Sequence, residues 1–377
     1  MHMRSYIGDD VAGLGADNRD PFGSGYNGGV TPYVVLINNE FGFSVDEIND
    51  FVRAHTTTSW LYNVFGPPLH ANPYVIHSGD PVGTDHGFGP IMGGDSNGIQ
   101  PGSFCDFRNV YAHTTGRNPA VTATQYAAAN NLHYNHGRPG GGNGEAIDIW
   151  SQFTSTAMLA NILGNGFVRG PENTSNIVGV RVRSGAPAGT MGYLAGNAAG
   201  GGWTAANEFS FVNSGVGTWQ QTVLQSGAFP GSWGSELSGY LRWASSVNPS
   251  TAEWHNFIDL MDSSCGACPA NRVSNTPVQV IFQQIRDRIN GGSTSFQFVD
   301  TTEQWTGNGN RADPYWPVTT TLIDPTNPGT AWHAPLPTGD SRDTPYTTGT
   351  FSNGMSRVGR SPLEVWAIEE HWRRGGK

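Results

Sequence analysis

A chain of 377 residues can bury one large core or two ordinary ones, and its 12 Trp, 12 Tyr and 18 Phe exclude a disordered polymer. Only 13 % of the residues are charged and the formal net charge is −10, which excludes packaging of nucleic acid through a basic surface. Lys377 is the only lysine among 20 Lys plus Arg, a bias that fits GC-rich coding or a surface buried against copies of itself.

Residues 1–30, rich in Gly, Asp and Asn, read as an extended N-terminal arm without periodicity. An apolar strand over Tyr33–Ile37 follows. Ser44 and Glu47 then form a capping-box pattern that predicts a helix, with Ile48, Phe51 and Val52 on one face. Residues 59–118 are mostly loop, with strand candidates at Trp60–Phe65 and Tyr74–His77. Helical spacing recurs over Ala120–Asn130 and from Glu145 to Leu163, where Ile149, Phe153, Ala157, Ala160 and Leu163 share a face.

The stretch 176–225 reads as strands divided by Gly and Asn turns. Val178, Val180 and Val182 alternate with Gly179, Arg181 and Arg183, the pattern of a strand with one wet face. Helices are predicted near Glu236–Ser246, over Ala252–Asp262 with a capping box in Ser250 and Glu253, and over Val278–Ile289. The segments SFQFVD and PVTTTLI read as strands, residues 325–360 as coil, and Ser361 opens a last helix. No repeat at a period of 20–50 residues is apparent.

These elements imply an α+β chain: a strand-rich core with several short helices and long irregular loops, as in a capsid-like β-sandwich or mixed shell-forming fold. The expected division is the arm 1–30, a core 31–324 with a subdomain boundary near 165–175, and a coil arm 325–377 ending in a helix.

Chemistry could reside in His133–Trp150, HYNHGRPGGGNGEAIDIW. Its Gly144-Glu145-Ala146-Ile147-Asp148 turn, with histidine before it, resembles the zinc-binding segment of D-Ala-D-Ala-type peptidases and related phage cell-wall hydrolases. Carried over, the resemblance implies zinc held by His136, Asp148 and His255, with Glu253 as general base. The chain departs from that pattern: His136 and Asp148 stand farther apart than in the family, and Glu253 and His255 are closer together. The alternative is a glycine hinge leading into a helix whose Glu145 and Asp148 favour its N-terminal end.

A second group, His70, His77, Asp80, Asp85 and His86, could hold a metal or brace a loop. Gly94–Gly98 matches G-x-S-x-G, but the proline and glycines that follow make it a turn. Cys265 and Cys268 form an isolated C-x-x-C, and Asn173-Thr174-Ser175 has the form of a glycosylation sequon.

The opening residues lack an apolar signal core, and no run of 18 apolar residues occurs. Low charge, the arm and the long coils lead to the expectation of a self-assembling virion structural protein. A phage major capsid protein is its foremost form, made in the host cytoplasm. Its partners would be copies of itself in a large homo-oligomer and other virion proteins, with no cofactor, nucleic acid or membrane span. The alternatives are a zinc peptidase or other polymer hydrolase, and a glycan-binding or tail-fibre module.

Overall fold

A computed structural model describes residues 4–6, 22–24, 31–44, 46–52, 55–70, 86–93, 102–137, 144–150, 156–173, 177–187, 189–214, 218–220, 247–266, 277–292, 298, 347–351 and 356–357. Twenty-one strands and two α-helices are present among them. The first strands are β1 (Arg4–Tyr6), β2 (Phe22–Ser24), β3 (Thr31–Ile37), β4 (Glu40–Gly42), β5 (Asn49–Val52), β6 (His55–Leu61) and β7 (Val64–Phe65). They continue with β8 (Ile91–Gly93), β9 (Ser103–Phe107), β10 (Val110–Ala112), β11 (Ala120–Val121), β12 (Gln125–Ala129), β13 (Leu132–Tyr134) and β14 (Glu145–Ile149). The last are β15 (Leu159–Leu163), β16 (Gly166–Val168), β17 (Val178–Val182), β18 (Met191–Ala195), β19 (Ala198–Gly200), β20 (Val212–Ser214) and β21 (Thr218–Gln220).

Each strand pairs in parallel with the strand three later in the chain, giving three seven-stranded sheets. The backbone therefore winds as a parallel β-helix, three strands to a coil. This overturns the expected capsid-like β-sandwich and the α+β reading with several short helices. The chain visits the sheets in fixed rotation, called here the first sheet (β1 to β19), the second (β2 to β20) and the third (β3 to β21).

The corner from the third sheet to the first shows how the sequence makes this winding. It consists of Asn38-Asn39, Tyr62-Asn63, Arg108-Asn109, Asn130-Asn131, Gly164-Asn165 and Gly196-Asn197. The leading residue of every pair is left-handed, from φ 51 at Arg108 to φ 66 at Gly196, which turns the chain sharply. The second residue is a buried asparagine each time. Its Oδ1 accepts from the N–H of the preceding ladder asparagine: Asn63 from Asn39 at 3.0 Å, Asn109 from Asn63 at 2.7 Å and Asn131 from Asn109 at 2.8 Å. Asn165 and Asn197 repeat the bond at 2.9 and 3.0 Å.

The Nδ2 groups donate to preceding-coil carbonyls, as Asn109 does to Trp60 at 2.7 Å and Asn165 to Ala128 at 3.1 Å. Corner groups that a tight turn would leave unpaired are thus satisfied from coil to coil. Glu208, in a 3-10 turn (Glu208–Phe211), takes the place of a next asparagine: its carboxylate accepts from the Asn197 N–H and Nδ2, both at 2.9 Å.

Inside, columns of like residues rise through the coils. The centres of the first-sheet strands stack Phe41, Phe65, Tyr111, His133 and Phe167 with ring centroids 5.0–5.5 Å apart. That matches the strand spacing of about 4.8 Å. In the third sheet Leu36, Trp60, Asp106, Ala128, Ile162 and Leu194 are in register. Asp106 is fully buried, accepting from Asn109 Nδ2 (2.6 Å), Tyr111 OH (2.7 Å) and Tyr126 OH (3.0 Å). Burial raises its carboxyl to about 7 against these lowering bonds.

The predicted helix over Ala120–Asn130 is instead β11 and β12, and the one from Glu145 to Leu163 is β14 and β15. Ala127, Ala128 and Ala129 are buried between β9 and β15, where packing overrides helix propensity. Ser44 caps no helix: its hydroxyl donates to the Asp46 carbonyl at 3.4 Å, and β5 follows.

The two later helices stand where the sequence places them: α1 (Thr251–Ser264), with its capping box in Ser250 and Glu253, and α2 (Pro277–Ile289). Their Trp254, Phe257, Ile258, Ile281, Phe282 and Ile285 pack with Val64, Val110, Leu132 and Val168 on the outer face of the first sheet. A Cβ at Gly166 or Gly200 would lie 2.9 or 2.7 Å from the Trp254 ring, so glycine there admits the indole.

Within the arm, Arg4–Tyr6 and Phe22–Ser24 pair in parallel with β4 and β5. Outside the described residues lie the helix near Glu236–Ser246, Tyr74–His77, PVTTTLI and the last helix, together with SFQFVD except Phe298 and most of 325–360.

Candidate functional site

The four residues of the zinc pattern are held apart. His136 follows β13 and is buried; burial lowers it to about 4, opposed by a backbone bond at Val178. Asp148 is in β14, bound by the Arg183 guanidinium. Glu253 closes the α1 capping box, its Oε2 accepting from the Ser250 N–H at 2.8 Å. His255 lies on the exposed side of α1 and donates from Nε2 to Asn290 Oδ1 at 2.9 Å. Among the described residues no three His, Cys, Asp or Glu come together as a metal site.

His133 belongs to the inner stack, between Tyr111 at 5.1 Å and Phe167 at 5.0 Å. Burial, and then the neighbouring His136, hold its pKa well below the usual value, so it stacks as a neutral ring. Within His133–Trp150 both histidines are thus core, and Glu145 and Asp148 sit on a strand where a helix was expected.

His77, Asp80, Asp85, Gly94–Gly98 and Cys268 lie outside the described residues. His70 donates from Nε2 to the His113 carbonyl at 2.6 Å, and His86 Nδ1 pairs with Asp46 at 3.3 Å. Cys265 caps α1, and its thiol donates to the Arg108 carbonyl at 3.0 Å. Asn173 is buried with its Nδ2 bonded to the carbonyls of His136 and Gly137, so the sequon amide is structural.

What the structure does bring together is a band beside the outer face of the second sheet. Register sets Asp148 against Arg181, and Trp150 and Arg183 continue the same two strands. The Arg183 guanidinium binds Asp148, lies 3.7 Å from Glu145 and sits 4.3 Å from the Trp150 ring centroid. From the other side Arg117 lies 5.6 Å from the same indole and 4.0 Å from the Phe88 ring.

Arg117 also pairs with Glu47, and Arg181 with Glu145 at 3.4 Å. Arg117 can take its place because Gly89 lets the chains meet: a Cβ there would lie 2.0 Å from the Arg117 carbonyl oxygen. Two flat apolar rings thus alternate with two guanidinium planes, each fixed by a carboxylate.

Asp148 has no side-chain exposure, Glu145 has 8 %, and the three arginines have 20–31 %. The carboxylates are therefore the buried supports, while the guanidinium groups and the two rings are partly exposed. Burial, then the Asp148 charge, raises the Glu145 pKa against Arg181 and Arg183.

The alternation of Val180, Arg181, Val182 and Arg183 already marks this wet face in the sequence. Phe88, Arg117 and Trp150 carry no such signal, because their proximity depends on coil register. A scan against protein-family models finds no match, and a search of the curated proteins finds no significant match.

Proposed function

We propose that this chain is a β-helical module of a virion fibre that binds a glycan polymer along the outer face of its second sheet. The observation that carries the reading is the Phe88–Arg117–Trp150–Arg183 series, planar rings and planar donors in alternation on a half-exposed face. Binding surfaces for small polar ligands combine aromatic walls with a few placed polar groups. A sugar ring offers C–H groups to the part of the indole left exposed between the guanidiniums and hydroxyls to the guanidinium edges.

A solenoid presents the same face at each coil, about every 4.8 Å, which suits a linear polymer. Growth along one axis also favours a fibre over the closed shell expected from composition. Copies of this chain and other virion proteins remain the proposed partners, with the site needing no cofactor. Among the described residues no helix is long and apolar enough to cross a membrane.

The test is affinity electrophoresis through gels loaded with polysaccharide. Retardation is expected for the natural chain and at least tenfold weaker binding for Trp150→Ala, with circular dichroism unchanged. Equal retardation of both proteins would overturn this placement of the site.

A further inference from the structure

Building on the glycan-binding reading, we infer that the band selects an uncharged glycan over an acidic one. Each arginine already has a carboxylate: Arg117 has Glu47, Arg181 has Glu145, and Arg183 has Asp148. Close by, Asp46 faces His86. No guanidinium in the band therefore stands as a bare cation awaiting a carboxylate or sulfate. An acidic sugar would set a second anion against an arginine already paired with one, and displacing Asp148 would strand a buried charge.

The field beyond the band points the same way. The chain carries a formal net charge of −10, so a polyanion approaches against repulsion at low salt. A neutral sugar meets neither obstacle. The ion pairs fix the planes of the guanidinium groups, which still have N–H donors left over. The partly exposed rings of Trp150 and Phe88 supply apolar surface that needs no charge on the ligand. Specificity then comes from donor placement, with charge excluded by design of the paired site.

The deciding experiment applies the purified full-length chain to an array of neutral and acidic glycans at 20 mM and 300 mM NaCl. Hits are measured by isothermal titration with the natural chain, Trp150→Ala and Arg181→Gln. Expected is binding to neutral glycans, changing less than twofold between the two salts, and weakened at least tenfold by Trp150→Ala. Arg181→Gln, on the most exposed arginine, keeps its fold and serves as the second variant, with threefold to tenfold weaker binding.

Binding confined to uronate or sulfated glycans, and lost at 300 mM salt, would overturn the neutral-ligand inference while leaving the glycan-binding function intact. Binding to neither class would overturn the function itself.

Discussion

The outer faces of the first and second sheets show what the same coil can be made to do. On the first, Val64, Val110, Leu132 and Val168 are apolar, and two helices cover them. On the second, Arg181 and Arg183 occupy the corresponding outward places, and Asp148 is buried under them. The coil interior is alike behind both, with aromatic and aliphatic columns in register. A parallel coil is thus a neutral support, and the residues pointing away from it decide whether a face becomes core or surface.

The largest expected effect lies on the covered face. Trp254→Ala removes the indole seated over Gly166 and Gly200 and should cost about 3–5 kcal/mol. Urea denaturation checks this, and loss of helix signal ahead of strand signal would show that the helices undock first. On the other face Arg183→Ala strands buried Asp148, with an expected cost of about 3 kcal/mol. The double variant with Asp148→Ala should recover part of that loss. If Arg183→Ala is as stable as the natural chain, the two faces are not built as described.

Between the faces runs the asparagine ladder. Asn109→Ala removes the donors to Trp60 and Asp106 and leaves the Asn63 N–H without its acceptor, at a cost of about 2 kcal/mol. Asn109→Asp keeps the acceptor but brings a second carboxyl beside Asp106, and should be the worse of the two above pH 7.

Titration gives effects of opposite sign. Asp106 is raised from 3.8 to about 7 by burial, so its folded form holds a proton that the unfolded form loses. Its contribution is full below pH 4 and fades as pH rises to about 7. His113 is lowered from 6.5 to about 3, chiefly by burial and against its Gln284 bond. Its contribution is full above pH 6.5 and fades as pH falls towards 3. Between those limits stability falls with rising pH through Asp106 and rises with it through His113. Melting curves from pH 4 to 7 should show Asp106→Asn and His113→Gln changing the slope in opposite directions.

Much of this architecture was hidden by unequal spacing. The ladder recurs after 22 residues from Asn109 to Asn131 but after 46 from Asn63 to Asn109, so no fixed period exposes it. What is constant is local: a left-handed residue and an asparagine at all six corners, with an inward ring two places on at the first five, as in Asn38-Asn39-Glu40-Phe41 and Tyr62-Asn63-Val64-Phe65.

Short strands buried on both faces also lack the alternation that distinguishes strand from helix. Gln125–Ala129 therefore resembles an alanine-rich helix until its neighbours are known. The two real helices were legible because each has one apolar stripe, and α1 a capping box. The half-wet pattern of Val178–Arg183 was legible too, but not the partners that Phe88, Arg117 and Trp150 find only through winding.

Hydroxyl-radical footprinting with and without a saturating neutral glycan tests the division of the faces most directly. The account predicts that oxidation of Trp150 and Phe88 falls when glycan binds, while that of buried Trp254 stays unchanged. Binding that leaves Trp150 and Phe88 equally reactive, with protection confined to the helices or to the third sheet, would contradict it.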